Sequence, residues 1–220
     1  YCFDSLRFGM PVMVHSFAIS LITYFDRIII SKYLTIEDLA VYGVAFQIGI
    51  LISFVAQAFN KAFVPWLYEK LKTKSELNNF LIVRGTYLIF IGIGIFTFIF
   101  TLILELIIRL YAGEIYIGAT NIAILISIGA AFNAAYLMVV NYMFYAGKTF
   151  FLSLISISVA IGFIALSLIL VPSFGIIGAA SSFLLANLFL FIAVWIASAK
   201  FIRMPWTSKQ VFKSLFKFNI

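Results

Sequence analysis

The chain has 220 residues, of which 65% are hydrophobic and 10% charged, with a mean hydropathy of +1.16. So few charges cannot cover a water-soluble body of this size, which makes an all-α integral membrane protein the expected class. One cysteine, Cys2, and one histidine, His15, exclude an internal disulfide framework and a Cys/His metal cluster. The formal charge of +7 needs no nucleic acid, because basic residues flanking membrane spans account for it.

The chain opens on Tyr1 with no charged-then-apolar signal region, and a fragment of a longer protein is expected. Six apolar stretches follow, at roughly 9–32, 39–67, 80–104, 118–145, 150–171 and 175–199. Each is long enough to cross a hydrocarbon core of about 30 Å. Stretches such as FIGIGIFTFIFTLIL are apolar on all sides, unlike the alternating segments of a barrel. Residues 1–199 are thus expected to form one six-helix transmembrane lobe, with 200–220 a basic amphipathic tail.

In the first span His15 and Asp26 stand within about 20° of one face, about 16 Å apart along the axis. Ser16, Ser20, Thr23 and Arg27 form a neighbouring stripe. Asp26 and Arg27 point about 100° apart on an ideal helix, so each is expected to have its own partner. His15 reads either as a packing histidine or as a proton-coupling group.

The second span places Gln47, Phe54, Gln57 and Lys61 on one face at steps of 7, 3 and 4, with Asn60 adjacent. Two readings stand side by side: a polar, cationic cavity wall, or interhelical amides with a snorkelling lysine. The connector YEKLKTKSELNN is the most charged stretch, and Thr73 with Glu76 has the spacing of a capping box. Arg84 lies at the start of the third span. The amides of the fourth and sixth spans, including Asn133, Asn141 and Asn187, read as close-packing contacts among small residues.

YAGKTF at 145–150 ends like a phosphate-binding loop but has Tyr142 where the first glycine belongs. No nucleophile elbow or zinc-protease motif is present, and no enzyme is expected. Six crossings put nearly all of the 15 basic residues on the side of the chain ends, leaving Arg27, Lys32 and Arg109 to the other. The positive-inside rule then sets both ends in the cytoplasm, and the tail KQVFKSLFKF along the anionic inner leaflet.

Several segments together resemble the second half of the polysaccharide flippases, within the multidrug, oligosaccharidyl-lipid and polysaccharide exporter superfamily. They are the D-R pair of TYFDRIIISKYL, the L-A-x-Y of DLAVYG, VPWLYEKLK, NYMFYAGKT, and the P-x-x-G-I-x-G-A-A of LVPSFGIIGAASS. The resemblance implies one lobe of a twelve-helix, two-lobe transporter, partnered by an N-terminal six-helix half and by membrane lipids. It implies a bacterial cytoplasmic (inner) membrane protein that moves undecaprenyl-pyrophosphate-linked oligosaccharide by alternating access. No cofactor is expected beyond coupling to Na+ or H+. Arg27, Gln47, Gln57, Asn60, Lys61 and Arg84 are then candidate cavity residues, cations for the pyrophosphate and amides for the sugars. Asp26 and His15 are candidates for gating or coupling. Two alternatives remain: a drug or cation exporter of the same superfamily, whose cavity should carry unpaired acids, and a membrane-embedded polymerase or acyltransferase, which needs a long outward loop or a His/Asp centre.

Overall fold

The computed structural model describes residues 2–73, 75–208 and 211, with the side chains of residues 2–7 left aside. Among the described residues seven helices follow one another: α1 (Cys2–Tyr33), α2 (Ile36–Gly49), α3 (Leu51–Lys72), α4 (Glu76–Leu102), α5 (Leu104–Tyr111), α6 (Thr120–Tyr145) and α7 (Thr149–Phe201). A 3-10 helix, Glu114–Ala119, leads into α6. Five helical stretches are long and apolar enough to cross a membrane.

The fifth of these crosses twice. A straight helix of 53 residues would run about 80 Å, far more than a bilayer. Instead Phe151 and Phe201, near its two ends, have ring centroids 5.2 Å apart. The reversal lies at Pro172–Gly178. Gly175 adopts φ +62, a left-handed conformation that glycine takes at low cost. Three residues on, a Cβ on Gly178 would lie 2.2 Å from the Leu170 carbonyl oxygen, so the returning arm touches the backbone of the outgoing one. The P-x-x-G-I-x-G segment is therefore a helical hairpin, and the bundle has six crossings.

Sequence chemistry sets the other ends too. Thr35 caps α2: its Oγ1 accepts from the Asp38 N–H at 3.1 Å, and the Asp38 carboxylate accepts from the Thr35 N–H at 3.2 Å. The capping box expected at Thr73 and Glu76 does not form. Thr73 instead donates to the Lys70 carbonyl at 2.8 Å and accepts from Asn78, so it closes α3 rather than opening α4.

α6 is the central helix. Its small residues, Gly129, Ala130, Ala134 and Ala135, let α2, α3, α4 and α7 approach closely. α4, α1 and both arms of α7 turn large apolar side chains such as Phe17, Ile95, Phe98, Ile161 and Ile196 outward, as expected of a lipid-facing surface. Two apolar clusters fill the interior, one around Ile30, Phe46, Ile126 and Phe183, the other around Leu67, Ile82, Met143 and Leu190. The start of α1, the α6–α7 turn and the end of α7 meet at one end of the bundle, where Phe8 and Pro11 line a cavity with Lys148 and Phe151. Beyond α7 the chain folds back there, and the Tyr87 hydroxyl donates to the Trp206 carbonyl at 2.8 Å within a cluster of Tyr142, Trp195 and Trp206. Apart from Val211, the basic stretch of the tail lies outside the described residues.

Candidate functional site

Between α1, α3 and α6 lies a cavity of about 480 Å3 with a polar wall. Three helices supply it. α1 contributes His15 and Ser16, α3 contributes Gln57, Asn60 and Lys61, and α6 contributes Asn133, Tyr136 and Asn141. The α3 residues come together because 57, 60 and 61 fall on one side of a 3.6-residue turn. Among the described residues Lys61 is the one charged residue lining the cavity, and no carboxylate lines it.

The wall is held by hydrogen bonds between helices. Asn141 Nδ2 donates to Asn60 Oδ1 and to the Leu137 carbonyl, each at 2.8 Å, locking α6 to α3. Asn133 Nδ2 donates to Asn187 Oδ1 at 3.2 Å, locking α6 to the second arm of α7. His15 is 6% exposed and is held on both sides, Nδ1 to Ser156 Oγ at 2.6 Å and Nε2 to the Tyr136 hydroxyl at 2.9 Å. Sequence reasoning did not single out Tyr136 or Ser156; a tyrosine and a serine in apolar helices give no signal until a third helix brings a histidine to them.

Gln47 does not join this wall. The helix is only briefly loosened at Ile50, whose dihedrals stay helical, and Gln47 stands about 15 Å along the axis from Gln57, away from the cavity. Gln47 instead accepts from the Tyr111 hydroxyl at 3.3 Å, against α5. Arg84, on α4, also lies outside the residues lining the cavity.

Asp26 and Arg27 form a second site, near the α1–α2 turn. The expectation that each has a separate partner is corrected here. The backbone N–H of Arg27 donates to Asp26 Oδ1 at 2.7 Å, and the guanidinium Nη1 reaches the same oxygen at 3.3 Å while donating to the Thr23 carbonyl at 2.9 Å. Their Cβ atoms diverge, but the arginine stem is long enough to fold back along the helix. The guanidinium also lies over the Phe46 ring, 4.1 Å from its centroid. Asp26 is fully buried and takes a further hydrogen bond from the Tyr42 hydroxyl of α2. The carboxylate is thus satisfied within the bundle by three donors.

Residues 1–71 match the family described as "Polysaccharide biosynthesis protein". A Haemophilus influenzae protein named "Lsg locus putative protein 1" is 32% identical over 186 residues, covering 81% of this chain and 46% of that protein. "Putative O-antigen transporter" of Shigella flexneri is 24% identical over 190 residues, covering 83% of this chain and 44% of that protein. This chain is similar to polysaccharide biosynthesis proteins over its first 71 residues and to a protein named as an O-antigen transporter over most of its length. The resemblance to polysaccharide flippases read from its segments is borne out at that level. A further Haemophilus influenzae relative, "Uncharacterized membrane protein", is 30% identical over 148 residues, covering 67% of this chain and 36% of that protein. The chain spans less than half the length of each of these relatives. No solved structure matches it significantly.

Proposed function

We propose that this chain is one six-helix lobe of a two-lobe transporter that flips undecaprenyl-pyrophosphate-linked oligosaccharide across the bacterial cytoplasmic membrane, for surface polysaccharide synthesis. The lobe faces an N-terminal six-helix half of the same protein, and both of its ends lie in the cytoplasm. Alternating access carries the head group through the space between the lobes while the lipid stays in the bilayer.

The observation that supports this reading is the composition of the cavity wall. Lys61 offers a cation to the pyrophosphate, and Gln57, Asn60, Asn133 and Ser16 offer the amides and hydroxyl that sugars need. An exporter of cationic drugs would need a carboxylate in that wall. Buried Asp26 is already engaged by Tyr42 and Arg27, and Glu105 pairs with Arg109 at 3.1 Å on the exposed helix α5. In this reading Arg27 lies near the outer mouth and contacts the departing pyrophosphate, and Asp26 steadies the closed outer end.

The test is export of surface polysaccharide by the full-length protein in a strain lacking its flippase. Lys61→Gln should lower export with the membrane level of the protein unchanged, and Lys61→Arg should retain most of it. Normal export by Lys61→Gln would reduce Lys61 to a snorkelling side chain and remove the main support for the reading.

A further inference from the structure

The directions of the hydrogen bonds around His15 are set by its tautomer, and one tautomer satisfies every partner. Ser156 donates its single hydroxyl hydrogen to the Leu152 carbonyl at 2.9 Å. In the tautomer with its hydrogen on Nδ1, the ring donates to the serine oxygen across the 2.6 Å contact while Ser156 keeps its bond to Leu152. Nε2 then carries the lone pair, and Tyr136, 2.9 Å away, donates its hydrogen to it. The imidazole in this arrangement is neutral, and the tyrosine hydrogen is committed to it.

A proton on Nε2 reverses the second bond. Both ring nitrogens become donors, the Tyr136 oxygen becomes the acceptor, and the tyrosine hydrogen must find a new partner. His15 and Tyr136 both line the polar cavity, so that hydrogen is delivered where a ligand would sit. The ring is bonded to Ser156 of α7 and Tyr136 of α6 and packs against Phe144, and Lys61 of α3 lines the same cavity. Asp26, on α1 itself, is about 16 Å away along the axis. Among the described residues no carboxylate lines the cavity to receive the hydrogen, whereas a bound anion would accept it.

We propose that Tyr136 and His15 form a proton-linked anion site, in which the diphosphate of a lipid-linked substrate binds beside Lys61 together with one proton on His15 Nε2. The proton is taken up from the bulk solution, and the Tyr136 O–H turns from the ring to a phosphate oxygen. Proton and diphosphate then strengthen each other's binding by the same factor. The substrate class rests on the flippase reading; the proton linkage rests on the hydrogen bonds.

The full-length protein, purified in detergent, is titrated with farnesyl diphosphate and separately with inorganic pyrophosphate between about pH 5.5 and pH 8, where a histidine can change charge. Proton uptake is recorded in weakly buffered solution. Wild type should bind farnesyl diphosphate more tightly at low pH and take up a proton that His15→Gln does not, and the affinity of His15→Gln should fall less steeply with pH. Tyr136→Phe, which keeps the ring and removes only the hydroxyl, should bind more weakly and take up less. Equal pH slopes and equal uptake in wild type and His15→Gln would overturn the linkage and leave the flippase reading standing. Should His15→Gln not fold, unchanged uptake and affinity in Tyr136→Phe would overturn it instead. Pyrophosphate binding as tightly as farnesyl diphosphate would overturn the lipid-linked assignment, and no binding of either probe would overturn both proposals.

Discussion

The Tyr42 hydroxyl on α2 donates to the Asp26 carboxylate on α1, and both residues are 0% exposed. The contact joins two of the short segments by which the chain resembles the flippases, D-R in the first crossing and L-A-x-Y in the second. A buried charge is tolerated when donors surround it, and here the Arg27 N–H and guanidinium complete the set.

Removing one donor should therefore be costly. Tyr42→Phe should lower stability by about 1–3 kcal/mol, the price of leaving a buried acceptor short of a partner. Adding Asp26→Asn should recover part of that loss, because no charge is then stranded. Arg27→Lys should also destabilise, since a lysine cannot lie over Phe46 and donate to Thr23 and Asp26 together. Thermal unfolding in detergent measures all three, and a Tyr42→Phe protein as stable as wild type would remove Asp26 from the account of α1–α2 packing.

The α7 hairpin makes a separate prediction. A methyl at Gly178 meets backbone 2.2 Å away, whereas nothing lies within 4 Å of a methyl at Gly175, whose φ is +62. Gly175→Ala should cost about 1–3 kcal/mol, because φ +62 with ψ −144 is a region open almost only to glycine. Gly178→Ala should cost more, because the two arms must separate. The order of their unfolding temperatures checks this, and Gly178→Ala being the milder of the two would contradict the hairpin packing.

How much of this was readable from the chain differs by element. Long apolar stretches and the Pro172, Gly175 and Gly178 punctuation act locally, so crossings and the last reversal could be anticipated from single segments. Gln57, Asn60 and Lys61 could be grouped because helical periodicity holds within α3. Gln47 could not be separated from them, since it shares their face and only the position of the cavity along the helix sets it apart. Thr73 was misread because Asn78 competes for its hydroxyl. Asp26 with Tyr42, and His15 with Tyr136 and Ser156, are contacts between helices distant in sequence, and periodicity along one helix cannot supply them.

Sidedness is tested by cysteine labelling in a Cys2→Ser background. Cysteines at Ile36 and Glu114 should react from outside intact cells, and those at Lys72 and Lys148 only after permeabilisation. Labelling of Lys72→Cys from outside would invert the orientation and place Lys61 at the outer mouth.

The central claim is that the polar wall serves an anionic lipid-linked glycan, and reconstitution tests it most directly. The full-length protein is placed in liposomes whose inner leaflet carries a fluorescently tagged undecaprenyl-pyrophosphate oligosaccharide, and the tag's accessibility to an outside quencher is followed over time. The account predicts that wild type makes the tag accessible and that Lys61→Gln does so much more slowly. Wild-type liposomes in which the tag stays protected, while a cationic dye is moved across the same membrane, would contradict it.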